Sequence, residues 1–316
     1  MRNSWKLILL AVVAAIFCAV YLFQGLNGSY DYALPRRGIK VLAMVLTGVA
    51  IAYSTVVFQT ITHNRILTPS IMGLDSLYLL IQTIAIFFLG SSHTFIINKQ
   101  LNFMFSVIVM VIFALLLYQF LFKKGQRPIY FLLLVGIIVG TFFGSFSTFF
   151  QVLIDPNEFQ IVQDKMFASF NNVNRDLVWL ATFLIGGIIL FAWRSLRYLD
   201  VVSLGRDTAI NLGIPYDRLV KQTLVITAIL ISISTALVGP ITFFGLIVAN
   251  LSYQFFKTYK HHILIIGAVL FSIIALVGGQ WMVERIFTFS TTLSVIINFI
   301  GGIYFIYLLL KESRST

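Results

Sequence analysis

Side chains able to do chemistry are few in this chain of 316 residues, and their spacing does not form a catalytic or metal-binding set. The four histidines are His63, His93, His261 and His262, and none belongs to an H-E-x-x-H pattern or has cysteine partners. No nucleophile with a neighbouring base stands out, and no G-x-x-x-x-G-K-[ST] phosphate-binding loop occurs. The sequence therefore predicts no metal site, no cofactor bound by this chain and no catalytic residue.

One polar segment, residues 194–221, carries eight charges within an otherwise apolar chain. Ser203 is a plausible N-cap of a short helix, and Asp207 would lie near its positive end. Gly213 with Pro215 is a stop signal, and a second helix is expected to begin near Pro215. The segment is predicted to meet a partner in water, although composition alone also fits an ordinary solvated loop.

The composition shows what must position this segment. Hydrophobic residues make up 59% of the chain and charged residues only 10%, with a mean hydropathy of +0.96. Soluble domains carry about 25% charged residues, so the main solvent of this chain is predicted to be lipid. Cys18 stands alone in an apolar run and is interpreted as a small buried hydrophobe. The net charge of +11 is typical of cytoplasmic loops of a membrane protein rather than of a nucleic-acid surface.

The apolar runs predict helices that span a bilayer, since a span needs about 20 mainly apolar residues and paired backbone groups. The first run follows Arg2 and Lys6 and resembles a signal peptide, but it lacks a small-x-small cleavage site and is interpreted as a retained span. The ten predicted spans are residues 6–24, 38–59, 71–90, 101–122, 128–153, 177–195, 219–238, 240–257, 262–280 and 291–310.

The distribution of Lys and Arg predicts that both termini are cytoplasmic, because that orientation places 15 of the 22 basic residues inside. The inside set is Arg2, Lys6, Arg65, Lys123, Lys124, Arg127, Arg194, Arg197, Arg206, Arg218, Lys221, Lys257, Lys260, Lys311 and Arg314. The outside set is Arg36, Arg37, Lys40, Lys99, Lys165, Arg175 and Arg285. The basic cluster at residues 36–40 lies on the outer side, against this distribution of Lys and Arg, and its position requires an explanation.

Four separated blocks resemble one family, the iron–siderophore and vitamin B12 ABC-importer permeases. LGRDTAINLGIPYDRL (204–219) is similar to the family's LGEETARSLGV, and GPITFFGLIVANL (239–251) to its GPIGFVGLVVPHL. The stretch 33–74, beginning ALPRR, resembles RLPR followed by NPLAEPGILG, and IGGIYFIYLLLK (300–311) resembles LGAPFFLYLLRR. The blocks occur in family order and cover nearly the whole chain.

The resemblance implies an all-α polytopic membrane protein with about ten transmembrane helices and type II ABC-importer permease architecture, formed as one domain over residues 1–316. It also implies a dimer of permease subunits, a cytoplasmic ATPase dimer that holds ATP and Mg, and an extracytoplasmic binding lipoprotein. The chain itself would then not be an enzyme. It would lie in the bacterial cytoplasmic membrane.

The resemblance further implies that the polar segment contacts the ATPase. The residues that match the coupling motif are Leu204, Gly205, Asp207, Ala209, Leu212 and Gly213. Arg206 replaces an acidic family residue, so charge contacts with the ATPase are expected to differ.

At the outer mouth, Arg36 matches the second arginine of RLPR, while Ala33 replaces the first. Arg37 is interpreted as a substitute for it, and Arg285 as the third basic residue that docks an acidic binding protein. Long basic side chains that reach the membrane interface are the alternative interpretation.

At the inner gate, the family's turn is matched by Asn64, Ile66, Pro69 and Gly73, with Arg65 in place of its first proline. Asp75 stands where the family has Ser or Asn. An ionisable group near a span is a functional candidate, and a solvated helix start is the alternative.

Two further features are assigned to the pathway. A stripe of small and hydroxyl side chains in the fifth span is expected to line it, with helix packing as the alternative: Gly140, Thr141, Gly144, Ser145, Ser147 and Thr148. Gly239 and Pro240 are expected to break the helix between spans seven and eight, and Ala249-Asn250 replaces the family's Pro-His.

The predicted function is therefore the permease subunit of an ABC importer for an iron(III)–siderophore, working with a second, non-identical permease. A homodimer is the alternative to that pairing. Import of haem or cobalamin is the alternative within the same class. A secondary transporter or channel is the alternative from another class, and a membrane-embedded enzyme has no supporting residues.

Overall fold

The computed structural model describes residues 3–25, 30–122, 129–289 and 291–313, and these residues form helices. Ten of the helices are the long or apolar ones: α1 Asn3–Phe23, α2 Tyr30–Thr62, α3 Leu74–Leu89, α5 Lys99–Phe122, α6 Ile129–Leu153, α8 Arg175–Trp193, α11 Tyr216–Val238, α12 Phe244–Phe256, α13 His261–Arg285 and α14 Leu293–Ser313. The short ones are α4 Thr94–Ile97, α7 Pro156–Met166, α9 Leu196–Val202 and α10 Arg206–Asn211, with a 3-10 turn at Pro69–Met72.

Each of the ten predicted spans corresponds to one of the ten apolar helices. Within the described residues, eight of them are long and apolar enough to cross a bilayer, and α3 and α12 are shorter. With 16 and 13 residues, these two reach only about 24 and 20 Å at 1.5 Å per residue. Both follow an irregular stretch, because the 3-10 turn precedes α3 and residues 239–243 precede α12.

Helices α2 and α11 form the centre of the bundle. They pack against each other, and α2 also packs against α13 and α12. Phe58 and Met44 of α2 and Leu224 and Leu230 of α11 are fully buried. By contrast, α1, α6, α8 and α14 lie at the periphery, where large apolar side chains face outward, as expected for helices covered by lipid or another subunit.

The glycines of the apolar helices divide into two groups according to what a methyl group at each position would contact. A methyl group on Gly140, Gly245 or Gly301 would meet a neighbouring element at 3.0 Å or less, so these positions require glycine for close approach. Gly144, Gly186, Gly187 and Gly302 face open space within this chain. Of the basic residues used for orientation, Arg2, Lys123, Lys124, Arg127 and Arg314 lie outside the described residues.

Candidate functional site

The polar segment forms two short helices, α9 and α10, rather than the single one expected. Ser203 is not an N-cap: its backbone is helical (φ −61°), it ends α9, and its hydroxyl donates to the carbonyl of Asp200 at 2.7 Å. Gly205, with a φ of 105°, begins α10 instead. An N-cap needs an extended backbone, and the continuous turn of α9 denies this to Ser203.

Around α10, two leucines point outward. Leu204 and Leu212 flank the helix and are each 62% exposed, while Ala209 between them is fully buried. Gly213 adopts a φ of 81° and ends the helix, as predicted from its sequence. Asp207 is exposed in the first turn, where a carboxylate is favoured. The polar segment thus exposes two apolar side chains next to α10.

A buried hydrogen-bonded chain fastens α9 to the bundle. Asp200 of α9 accepts from the backbone N–H of His261 at 2.7 Å and from its Nδ1 at 2.6 Å. The Nε2 of His261 lies 2.8 Å from the hydroxyl of Thr60 in α2. Because His261 is only 3% exposed, this chain fixes α9 to the start of α13 and the end of α2. Sequence reasoning missed the connection.

Carbonyl oxygens in the loop after α2 accept the hydrogen bonds that hold this loop in place. Asn64 accepts the backbone N–H of Ile66 at 2.8 Å, which closes the turn. The carbonyl of Arg65 accepts from Gln59 at 2.7 Å and from Asn250 of α12 at 3.0 Å. Asn250, at the position of the family's missing His, therefore anchors this loop.

The predicted gate turn and the predicted pathway stripe meet in one open groove of about 720 Å³. The Cα atoms of Gly73 and Gly140 approach so closely that a methyl group on either would lie within about 3.0 Å of the other. The groove is lined by Ser70, Ile71, Gly73, Ser76, Ile137, Gly140, Thr141, Gly144, Ser145 and Thr148. Five of the six residues of the predicted pathway stripe line this groove. Ser147 is buried and turned to α3, with its hydroxyl 3.0 Å from that of Thr83.

The helix break lies at residues 239–243, as the sequence predicted. Gly239, with a φ of 102°, is the C-cap of α11 and packs so closely on Ala168 that a methyl group would be 2.9 Å from its Cα. The backbone N–H of Ser169 donates to the carbonyl of Val238 at 2.8 Å. The segment after α7 therefore covers the break and gives the carbonyl group of Val238 a hydrogen-bond partner.

Asp75 lies beside this break, in the first turn of α3. One carboxylate oxygen is 3.2 Å from the hydroxyl of Thr235 in α11, and the other is 3.3 Å from that of Thr242 in the break. The side chain is buried and is not a solvated helix start. Asp75 thus joins the gate turn to the broken helix.

At the opposite end of the bundle, one polar cluster joins three helices. Glu284 accepts from Tyr21 at 2.7 Å, from Lys40 at 3.0 Å and from Gln280 at 3.0 Å. The Oδ1 of Asn171 also accepts from Gln280 at 2.8 Å. The cluster binds α1, α2 and α13 to the segment after α7.

The arginines assigned to docking differ in their surroundings. Arg37 donates to the carbonyls of Tyr21, Leu22 and Gln24 at 2.8–3.2 Å, and Arg285 donates to that of Gln24 at 3.0 Å. Both therefore cap the C-terminal end of α1, where cations are favoured. Arg36 is exposed and contacts the hydroxyl of Tyr32 at 3.2 Å.

Arg36 opens onto a basic cavity of about 860 Å³, which Lys40, Lys99 and Arg175 also line. Asp31 is the acidic residue in this lining. Burial lowers the pKa of the Lys165 ammonium in the nearby α7, and the positive charge of Lys99 lowers it further. Basic side chains therefore outnumber acidic ones in the lining of this cavity. Among the described residues, no three His, Cys, Asp or Glu side chains group as metal ligands.

Residues 23–311 match the FecCD transport family along almost the entire chain. The chain belongs to the FecCD transport family. Two relatives match nearly the whole chain. This chain is 62% identical to the petrobactin import system permease protein YclO of Bacillus subtilis, over 100% of both chains. It is 39% identical to the petrobactin import system permease protein FatC of Bacillus anthracis, over 90% of this chain and 80% of the relative.

Bacillus anthracis has a second FecCD-like relative, the petrobactin import system permease protein FatD, which is 26% identical over 96% of this chain and 88% of its own. The fold also matches a solved structure described as an inward-facing, metal-chelate type ABC transporter. The TM-score is 0.85 with 20% identity, over 98% of this chain and 100% of that one. This FecCD chain therefore has the fold of an ABC-transporter permease and is a multi-pass membrane protein.

Proposed function

We propose that this chain is the transmembrane permease subunit of a bacterial ABC importer that carries an iron(III)–siderophore across the cytoplasmic membrane, with ferric petrobactin as the substrate. The observation that carries the proposal is the 62% identity to YclO over the full length of both chains. Membership of the FecCD family and the ABC-permease fold support the transport mechanism. Neither catalysis nor a bound cofactor is assigned to this chain.

A separate ATPase dimer, which binds ATP and Mg, supplies the driving force through α10. Leu204 and Leu212 are exposed on either side of α10, within the most polar segment of the chain, where no lipid is expected. Such side chains bind an apolar groove on a partner. The buried link from Asp200 to His261 then transmits a movement of α9 to α13 and α2. Coupling requires that the ATPase contact the outward- and inward-open states differently.

The pathway runs along the groove beside α6. Hydroxyl-bearing Thr141, Ser145 and Thr148 are exposed on an otherwise apolar helix, and polar groups facing lipid are unfavourable. A second permease subunit packed against this face would cover them and enclose a polar passage. FatC and FatD, two different permeases with the same system name in one organism, support a heterodimer over a homodimer.

The outer mouth receives the chelate from a substrate-binding lipoprotein with an acidic surface. Arg36 is the exposed member of the predicted set, and Lys99 and Arg175 extend it around the same cavity. Arg37 and Arg285 contribute by holding α1 in place. With this end outside and α10 inside, both termini are cytoplasmic, as the positive-inside distribution favours.

Uptake of ⁵⁵Fe-petrobactin tests the substrate in a Bacillus strain that lacks its own petrobactin permeases. Expression of this chain with its genomic partner subunits should restore uptake, and excess unlabelled ferric petrobactin should compete. Competition by haem or cobalamin, or no restored uptake at normal protein levels, would contradict the assignment.

A further inference from the structure

A small, largely enclosed cavity lies between the gate turn, α2, α11 and the helix break. Its polar wall consists of one carboxylate and five hydroxyl groups: Asp75, Thr55, Thr68, Ser70, Thr235 and Thr242. It offers about 10 Å³ to the centre of a water-sized sphere, which is room for one small species. The groove contact between Gly73 and Gly140, near the middle of α6, places the cavity deep within the bundle.

The cavity contains one carboxyl group without a basic partner. Asp75 is 8% exposed, and within the described part of the chain no Lys, Arg or His side chain forms an ion pair with it. A buried charge that is not paired is strongly unfavourable. An ionised Asp75 would therefore need a compensating positive charge of one unit.

The cavity has more hydroxyl groups than the three that contact the carboxyl group of Asp75, which belong to Ser70, Thr235 and Thr242. Thr235 and Thr242 lie 3.2 and 3.3 Å from its oxygens, longer than the usual O–H···O distance of about 2.7–2.8 Å. Thr55 is 1% exposed, lines the cavity, and its hydroxyl has no hydrogen-bond partner. Oxygen atoms spaced in this way, with an unused lone pair on Thr55, match the ligand set of a hard cation.

We propose that this cavity binds one monovalent hard cation of the size of Na⁺, held by Asp75 with the hydroxyls of Thr55, Thr235 and Thr242. A divalent ion would leave an uncompensated positive charge, and a proton would need only one of these oxygens. The bound ion would fasten the gate turn to the broken helix. The proposal concerns binding alone and does not depend on the transported substrate.

Thermal unfolding of the full-length protein in detergent tests it directly. The transition is compared in 150 mM NaCl and in 150 mM choline chloride at one pH. Sodium should raise the midpoint by roughly 1–2 °C, the range expected for a chain of this length and a ligand a few-fold above its dissociation constant. The Asp75→Asn variant should lose this difference, whereas Thr227→Val, which removes a buried unpartnered hydroxyl of α11 outside the cavity, should keep it.

Equal midpoints in sodium and choline for the wild-type protein would overturn the proposal, as would an unchanged sodium effect in Asp75→Asn. A midpoint that responds to pH but not to sodium would identify a proton instead and would also overturn it. If Asp75→Asn does not fold, ²²Na⁺ binding to Thr55→Ala replaces it. Loss of the Thr55 hydroxyl should weaken sodium affinity about tenfold, with Thr55→Ser close to wild type; equal affinity in both variants would contradict the site.

Discussion

The two ends of the bundle differ in how far their side chains find partners within the chain. At the outer end, Glu284 accepts hydrogen bonds from Lys40 and Tyr21, and Arg37 and Arg285 donate to carbonyl groups at the end of α1. At the inner end, α10 keeps Leu204 and Leu212 exposed in a strongly polar segment. Most charged groups at the outer end are therefore satisfied within the chain, whereas the inner end leaves two apolar side chains uncovered.

The difference extends to the ion pairs of the two ends. Lys40 and Glu284 are 3.0 Å apart with side chains only 16% and 15% exposed, whereas Arg206 and Asp217 are 3.6 Å apart and 35% and 69% exposed. The outer pair sits within a hydrogen-bonded cluster, and the inner pair lies in water. We expect mutations at the outer end to change stability and mutations at the inner end to change coupling.

The largest expected effect is at Leu212. Leu212→Asp should reduce ATP-dependent chelate uptake at least about tenfold, because a carboxylate placed in an apolar groove lacks a partner. Uptake by cells with matched protein levels is the measurement, and Leu212→Met, which keeps the apolar contact, should transport close to wild type. Normal uptake by Leu212→Asp would remove α10 from the coupling interface. Gly205 is less suitable, since its φ of 105° makes any side chain there a source of strain.

At the outer end, Glu284→Gln should lower the free energy of unfolding by about 2 kcal/mol, since Lys40 would remain largely buried without its counter-charge. Thermal or denaturant unfolding in detergent measures this. The matched substitution at the inner end, Asp217→Asn, should cost less than about 0.5 kcal/mol, as for other exposed pairs. Equal costs for the two substitutions would remove the contrast between the two ends.

Between the two ends, two glycines one turn apart in α6 provide a matched pair of substitutions. Gly140→Ala should lower stability by about 1 kcal/mol, because the added methyl group would lie 3.0 Å from the Cα of Gly73 and force the gate turn away from α6. Gly144→Ala should not lower stability, since nothing in this chain lies within 4 Å of that position and alanine favours the helix. The unfolding midpoints of the two variants decide whether the contact is as tight as described; matching midpoints would show that it is not.

The smallest effect is expected at Arg36, whose exposed charge should steer the binding protein. Arg36→Glu should weaken docking a few-fold at low salt and much less at 0.5 M salt, where exposed charges are screened. Binding rates measured at both salt concentrations test this, with Arg36→Lys as the charge-preserving control. Identical docking by Arg36→Glu at low salt would exclude Arg36 from the mouth.

Hydropathy located the ten apolar helices, because a long apolar run can satisfy its backbone only as a helix. The break at Gly239 and the end of α10 at Gly213 followed from local backbone chemistry. Contacts between distant residues did not follow: Asp200 and His261 are 61 residues apart, and Glu284 meets Lys40 across 244. Ser147 was placed in the pathway stripe by its type, but the helical rotation turns it to Thr83. Arg37 was assigned to docking for its charge, which α1 uses internally.

We propose that ATP hydrolysis by a partner drives a ferric siderophore through this chain. Proteoliposomes that contain the chain, its partner permease and the ATPase, with binding protein and labelled ferric chelate outside, test this. Uptake is expected only when ATP is enclosed with the ATPase, with no loss when ionophores collapse the ion gradients. Uptake without ATP that follows a sodium or proton gradient would contradict it and identify a secondary transporter.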